Sequence, residues 1–368
     1  MTNEVWFDET DASLDDAAAR YLRERYRFEV RYKLPAAERR FSRTVWNDVA
    51  EMGWLAVTTP EEDEGLGVRM TSVCLLGKAA GRGLLNEPLT SGLVAAWAIA
   101  SSANVDQRET LLPRLHAGHL RVACVFAEGD EVRVEGGALH GRKTVVIDAD
   151  IADHLLVLVQ AAGQAPTLHL VEAGAPGVRR EVYPLLDGRG AATVTFDGCR
   201  ATLLGEGNAV SASAVRRAML LGALATAADS YGAMSATFDL TLEYLKTRRQ
   251  FGKPIGTHQV LQHRAVDMHI RVGESKAVLD KAAVSLQAGT DSAARDVHAA
   301  KAFVCDEARK LAHDAVQMHG GIGITDEYAV SHYLRRIRVN EQLYGSTEQH
   351  FQWFAAASAA SDTHATNP

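Results

Sequence analysis

Cysteine is scarce in this 368-residue chain: Cys74, Cys124, Cys199 and Cys305 lie far apart and form no CxxC pair. A disulfide framework and a thiolate zinc site are therefore not expected, and reduced thiols of a cytoplasmic protein are the natural reading. No apolar run reaches the roughly 18 residues that a membrane-spanning helix needs. The opening stretch, MTNEVWFDETDASLDD, is acidic and has no apolar core, so no secretory signal is expected. A basic excess is missing too. The net charge of −7 argues against nucleic acid or an anionic membrane as partner. What the chain does have is 47% hydrophobic residues, enough for a large core, and a length that fits two or three domains.

The hydrophobic pattern changes twice along the chain. Up to residue 118, helix-length periodic segments such as SRTVWNDVAEMGW and TSVCLLGKAAGRGLL alternate with breakers at Pro60, Gly65, Gly67 and Pro88. Over 119–208 the runs shorten to ALHGRKTVVI, HLLVLVQ, TLHLVEA and AATVTFDG, which predict a small antiparallel β domain. From 209 to 368 the helical period returns. A helical segment over about 211–246 precedes two long apolar stripes. Leu261, Ala265, Met268, Val272, Leu279, Ala282 and Leu286 mark one; Val297, Ala300, Val304, Ala308, Leu311, Ala315 and Met318 mark the next. Gly289 is expected to cap the first helix and Asp291 to open the second. The expected fold is α+β: an N-terminal helical domain, a central β domain and a C-terminal four-helix bundle whose stripes call for an oligomer.

Two stretches of the bundle carry candidate chemistry. YLKTRRQFGKPIGTHQVLQHRAVDM (244–268) places Arg248 and Arg249 at a helix C-terminus, before a tight Gly- and Pro-rich connection. Two readings stay open: a capped helix–loop–helix with exposed arginines, or an arginine fork for a pyrophosphate with Phe251 offering a face to a cofactor ring. In AVQMHGGIGIT (315–325) adjacent glycines allow close backbone approach to a ligand, and Gln317 can donate and accept. Taken alone it is an ordinary helix stop. His263, His269, His313, His319 and His332 share no face, so no metal site is expected.

Taken together, RRQFGKPIG and QMHGGIGIT resemble the C-terminal domain of acyl-CoA dehydrogenases. WNDVAEMGWLAVTTPEEDEGLG (46–67), RETLLPRLHAGHLRVACVFAE (108–128), GRKTVVIDADIADHLLV (141–157) and RRAMLLGALATAA (216–228) extend the likeness over nearly the whole chain. The resemblance implies an FAD enzyme whose cofactor lies across a subunit interface. It assigns Arg248, Phe251 and Gln259, and then Gln317, Gly320 and Gly321, to the pyrophosphate and adenosine of a neighbour's FAD. Thr347 and Gln349 match positions against the flavin of their own active site.

The chain also departs from the family. α,β-Dehydrogenation of an acyl-CoA needs a base for a weakly acidic α-proton. Many relatives carry Tyr-Glu-Gly-Thr, with the Glu as base; LRRIRVNEQLYGSTEQH (334–350) has Gly345 there. Another branch places the Glu where this chain has Val215. Glu341 and Glu348 flank Gly345 and are expected to be solvated helix-face carboxylates, so no catalytic residue is assigned. In the FAEGDEVRVEGG stretch Glu128 persists, whereas the family's flavin-facing Gly-Ser-Asp loop does not. YLKTRRQFGKPIG, LLNEPL and HGGIGITDEYAVSHYLRRI resemble the small subunit of pimeloyl-CoA-dehydrogenase-type heteromeric enzymes. This implies a larger Glu-bearing partner, in an α2β2 heterotetramer, acting on an acyl-CoA. A homomeric flavoenzyme with altered chemistry, such as a monooxygenase, and a flavin-free scaffold are the alternatives.

Overall fold

The computed structural model describes residues 7–126, 132–159, 165–205 and 212–365. Glu128 lies outside the described residues. In chain order the helices α1 (Glu9–Arg25), α2 (Phe28–Arg31), α3 (Ala36–Arg40), α4 (Arg43–Glu51), α5 (Met70–Gly83), α6 (Leu89–Ser102) and α7 (Val105–His116) come first. Strands β1 (Val122–Phe126), β2 (Val132–Glu135), β3 (Ala138–Ile147), β4 (His154–Val159), β5 (Thr167–Glu172), β6 (Val178–Pro184), β7 (Gly190–Cys199) and β8 (Thr202–Leu203) follow. Helix α8 (Ala212–Thr247) leads into a hairpin of β9 (Arg249–Gln250) and β10 (Lys253–Pro254), then α9 (Gln259–Ala288), α10 (Ala293–His319), α11 (Ala329–Asn340) and α12 (Thr347–Ala365). Among these described helices none is long and apolar enough to cross a membrane.

The chain forms two compact units. One comprises residues 1–34, 70–85 and 223–368, the other 35–69 and 86–222. In the second unit two four-stranded sheets, ordered β1-β4-β5-β8 and β2-β3-β7-β6, share a core of Val125, Leu139, Leu155, Val157, Val194 and Phe196. The sequence reading of an all-antiparallel domain needs one correction: β1 pairs with β4 in parallel. The antiparallel β2–β3 pair lies between them in sequence and belongs to the other sheet, so β1 and β4 meet only through a sheet-to-sheet crossover. On the helical side of this unit, Ser42 caps α4 by accepting from Val45 N, and the buried Trp46 donates its indole N–H to Gly118 O at 2.9 Å.

In the first unit the predicted stripe of α10 is buried along its whole length, from Val297 to Met318. That of α9 is buried at Met268, Leu279, Ala282 and Leu286; Leu261, Ala265 and Val272 are half-exposed. Gly289 closes α9 in the left-handed region (φ 64°), as the sequence predicts. Asp291 does not open α10. Ser292 takes the cap position, and its hydroxyl donates to the buried Asp296 carboxylate at 2.8 Å. A buried polar network binds α8, α10 and α11. Lys301, fully buried, donates to Thr226 Oγ1 at 3.0 Å and to Asn340 O; Asn340 Nδ2 donates to Asp229 Oδ1 at 2.7 Å. Arg336, 1% exposed, donates to Leu85 O at 2.8 Å and faces Asp229. Burial pushes the Lys301 ammonium below its ordinary range. The network fixes the end of α11 and so the segment that carries Gly345.

Candidate functional site

The two stretches singled out from the sequence meet at one end of the first unit. Arg248 N still bonds Tyr244 O at 2.8 Å, and the chain then turns back as the two-residue hairpin Phe251-Gly252. Both turn residues lie at positive φ, 53° and 80°. Such a turn favours Asn, Asp or Gly, and an aromatic at its first position is a genuine outlier. Yet Phe251 is there, and 92% of it is exposed. Strain at a solvent-facing ring marks Phe251 as a candidate contact residue.

The second stretch is tied to the first by aromatic contact. Tyr244, one turn before Arg248, stacks on His319 with centroids 4.4 Å apart and donates its hydroxyl to His319 O at 3.3 Å. His319 is the last residue of α10, so the glycine turn starts at this contact. Gly320 has φ 64° and ψ −140°, a conformation close to glycine-only backbone. A Cβ built on Gly320 or Gly321 meets no atom within 4 Å. Arg248, Gln259 and Gln317 are exposed at the same end, as are Ile322 and Ile324. The structure thus brings together two of the predicted groups: the arginine hairpin and the glycine turn. Gln259 sits at the first residue of α9, while its neighbour Gln262, which the sequence did not single out, holds the connection by donating to Gly256 O at 3.0 Å. Arg249 belongs to β9 and not to the helix, whereas Arg248 directly follows the end of α8.

Thr347 and Gln349 open α12. Ser346 and Gln349 exchange backbone-to-side-chain bonds, Ser346 N to Gln349 Oε1 at 2.8 Å and Gln349 N to Ser346 Oγ at 3.1 Å, a capping box. The Gln349 carbonyl oxygen is therefore committed to the helix start. The Thr347 hydroxyl is buried without a hydrogen-bond partner among the described residues. Gly345 stands at φ 100°. A Cβ there would fall 2.7 Å from His350 Nε2 and 3.0 Å from both His350 Cδ2 and Trp353 Cζ3. Two rings occupy the room a side chain would need.

The pattern of hydrogen bonds fixes the tautomers of this cluster. His350 Nε2 lies 2.9 Å from Tyr344 O, an acceptor, so it carries the hydrogen. Its Nδ1 then accepts from His298 Nδ1–H at 3.0 Å. Burial pushes His350 down to about 3 and lowers His298 as well, and the nearby Lys301 ammonium adds to the effect on His350. The stability contributed by burying neutral His350 is therefore fully present above pH 6.5 and is lost as the pH falls toward 3, because the unfolded chain takes up a proton that the folded one refuses. Denaturant unfolding is expected to lose about 1 kcal/mol per pH unit around pH 5–6 through His350. His350→Gln should flatten that slope; an unchanged slope would refute the assignment.

The two carboxylates near Gly345 differ. Glu348 is exposed and accepts from Gln352, as expected. Glu341 is not the solvated residue the sequence suggests. It is 5% exposed and held between Arg309 at 3.2 Å and Arg338 at 2.7 Å, while burial raises its carboxyl above the ordinary range. Val215 is half-buried in α8. Among the described residues no group of three or more His, Cys, Asp or Glu is placed to hold a metal ion.

Comparison with known proteins gives a consistent picture. The model of the acyl-CoA dehydrogenase N-terminal domain matches residues 8–119, and that of the acyl-CoA dehydrogenase C-terminal domain matches residues 212–358. The chain is 28% identical to the acyl-CoA dehydrogenase IpdE2 of Mycolicibacterium smegmatis, over 82% of this chain and 83% of that one. It is 26% identical to the mitochondrial isobutyryl-CoA dehydrogenase of Bos taurus, over 81% and 77%. Among solved structures, a variant of the Tcur3481–Tcur3483 steroid ACAD superposes with a TM-score of 0.85 at 27% identity, covering 96% of this chain and 99% of that one.

Proposed function

This chain belongs to the acyl-CoA dehydrogenase family, and we propose that it serves as a subunit that holds FAD but leaves proton abstraction to a Glu-bearing partner. FAD is the cofactor, and the residues at the end of the first unit fit it. The open Gly320-Gly321 edge gives a phosphate group room to approach backbone N–H groups, and Arg248 adds a charge-assisted donor. Phe251 offers its exposed ring to a planar group, and Gln259 and Gln317 are polar donors and acceptors at the rim. The orphaned Thr347 hydroxyl is a donor suited to a flavin acceptor; Gln349 retains its amide N–H groups for the same purpose. Bound FAD supplies the acceptor for the hydride that leaves the β-carbon of an acyl-CoA.

The observation that carries the subunit reading is the packing at Gly345. With His350 and Trp353 against the backbone, the position that bears a carboxylate in many relatives has no space for one. Glu341, neutralised by two arginines, and Glu348, exposed on α12, offer no substitute within reach of a substrate α-proton. A larger subunit with Tyr-Glu-Gly-Thr supplies the base in this reading, in a cytoplasmic α2β2 assembly. The three-part division at 118/119 and 208/209 belongs to the same reading. A flavin-free scaffold gives no reason for the strained, exposed Phe251. The test is co-expression with such a paralogue. The two are expected to co-purify, with flavin and acyl-CoA turnover present in the complex. Stoichiometric flavin and full turnover in this chain alone would overturn the proposal.

A further inference from the structure

The first unit contains a second site-like feature that uses none of the residues assigned to FAD. A cavity of about 410 Å³ lies among α1, α2, α5, α8 and α11. Its size is in the range of small-molecule pockets. The floor is apolar and buried: Leu22, Tyr26, Ala79, Ala236 and Tyr333 are each less than 9% exposed. Tyr333 donates its hydroxyl to Arg82 O at 2.8 Å, so its polar end is turned away from any need for water.

The rim is charged, and most of its charges cancel. Lys78 pairs with Asp15 at 2.9 Å, and Arg82 pairs with Asp239 at 2.5 Å. Arg23, Arg27 and Glu29 also line the cavity, exposed and outside these pairs. Two cations against one anion leave a single positive charge over an apolar well. Arg23 lies in the last turn of α1, and Arg27 is the extended residue that precedes α2; both line the same cavity rim, so one small anion at the mouth lies between two guanidinium-bearing residues.

We infer that this cavity binds a free amphipathic carboxylate, a medium-chain acid whose tail fills the well and whose head is held by Arg23 and Arg27. A monoanion matches the single surplus charge. A phosphate dianion or the several charges of a CoA thioester would leave negative charge facing Asp15, Glu29 and Asp239. The inference is independent of the oxidoreductase reading.

Calorimetric titration of the full chain with decanoate, decanol and decanoyl-CoA tests it. Decanoate is expected to bind, and the double variant Arg23→Ala/Arg27→Ala to bind it at least about tenfold more weakly. Both arginines are exposed, so this variant should keep its helical circular dichroism and melting point. Decanol should bind the wild type and the double variant alike. Leu240→Trp, which fills the well from α8, should abolish binding of both ligands. Decanoate affinity unchanged in the double variant, or unaffected by Leu240→Trp, would overturn the site. Decanoyl-CoA binding as tightly as decanoate and lost in the same variants would overturn the free-acid assignment.

Discussion

Purified alone, the chain is expected to turn over acyl-CoA about 10²–10⁴-fold more slowly than a Glu-bearing relative, and Gly345→Glu is expected not to restore the rate. A sequence-level repair looks simple, since one substitution would recreate Tyr-Glu-Gly-Thr. The backbone argues otherwise. Gly345 has φ 100°, where a β-carbon is strained, and that carbon would meet His350 Nε2 at 2.7 Å. His350 cannot easily yield. It is 1% exposed, bonded to Tyr344 O and to His298, and edge-on to Trp353 with centroids 4.9 Å apart. The substitution should therefore cost roughly 1–3 kcal/mol of stability and leave the carboxylate misplaced. Displacement by even 1 Å is enough to forfeit about two orders of magnitude in rate. Acyl-CoA turnover by stopped-flow flavin bleaching, together with thermal melting, checks both halves. A Gly345→Glu protein with its melting point unchanged and its turnover within tenfold of a relative would show that the glycine is only a missing side chain. Turnover by the unaltered chain that Glu348→Gln abolishes would show that the base had been misassigned.

The α–β–α order is legible in the sequence because it rests on period. The run ALHGRKTVVI coincides with β3, and the stripe from Val297 to Met318 with the buried face of α10. Pairing partners are not encoded that way. The parallel β1–β4 pair depends on which strands a crossover brings together, and no local pattern records it. For the site, the glycine and arginine motifs could be read one by one, but their meeting could not. It depends on Tyr244 stacking on His319, 75 residues later. The His298–His350–Trp353 cluster is not legible in the sequence for the same reason. His350 and Trp353 are spaced to share a helix face, but nothing in the sequence says that the face is turned toward Gly345. Glu341 reads as solvated in the sequence because its burial depends on Arg309 of α10, and only tertiary packing brings that residue near.

Arg248→Ala is expected to weaken FAD binding to the assembled complex by about ten- to a hundredfold, the equivalent of losing one charge-assisted hydrogen bond of roughly 1.5–3 kcal/mol. Arg248 is exposed just beyond the end of α8, where its backbone is fixed by bonds from Arg248 N to Tyr244 O and from Ile255 N to Arg248 O. Neither bond involves the side chain, so truncation should leave the hairpin intact. Arg249 is the control. It is paired across the hairpin with Pro254, so its side chain leaves from β9 and not from the residue that directly follows α8. Arg249→Ala should therefore change flavin content by much less. Phe251→Ala makes a second comparison, since it relieves an aromatic from a left-handed turn without touching charge. Flavin content by absorbance, measured beside helical circular dichroism, separates the outcomes. Selective loss at Arg248 supports a guanidinium bound to phosphate. Stoichiometric flavin in both arginine variants removes the cofactor role of the hairpin, and flavin loss accompanied by loss of helical signal makes the arginines structural. Salt adds an independent axis: a phosphate contact at an exposed arginine is screened, so the gap between wild type and Arg248→Ala should narrow as ionic strength rises.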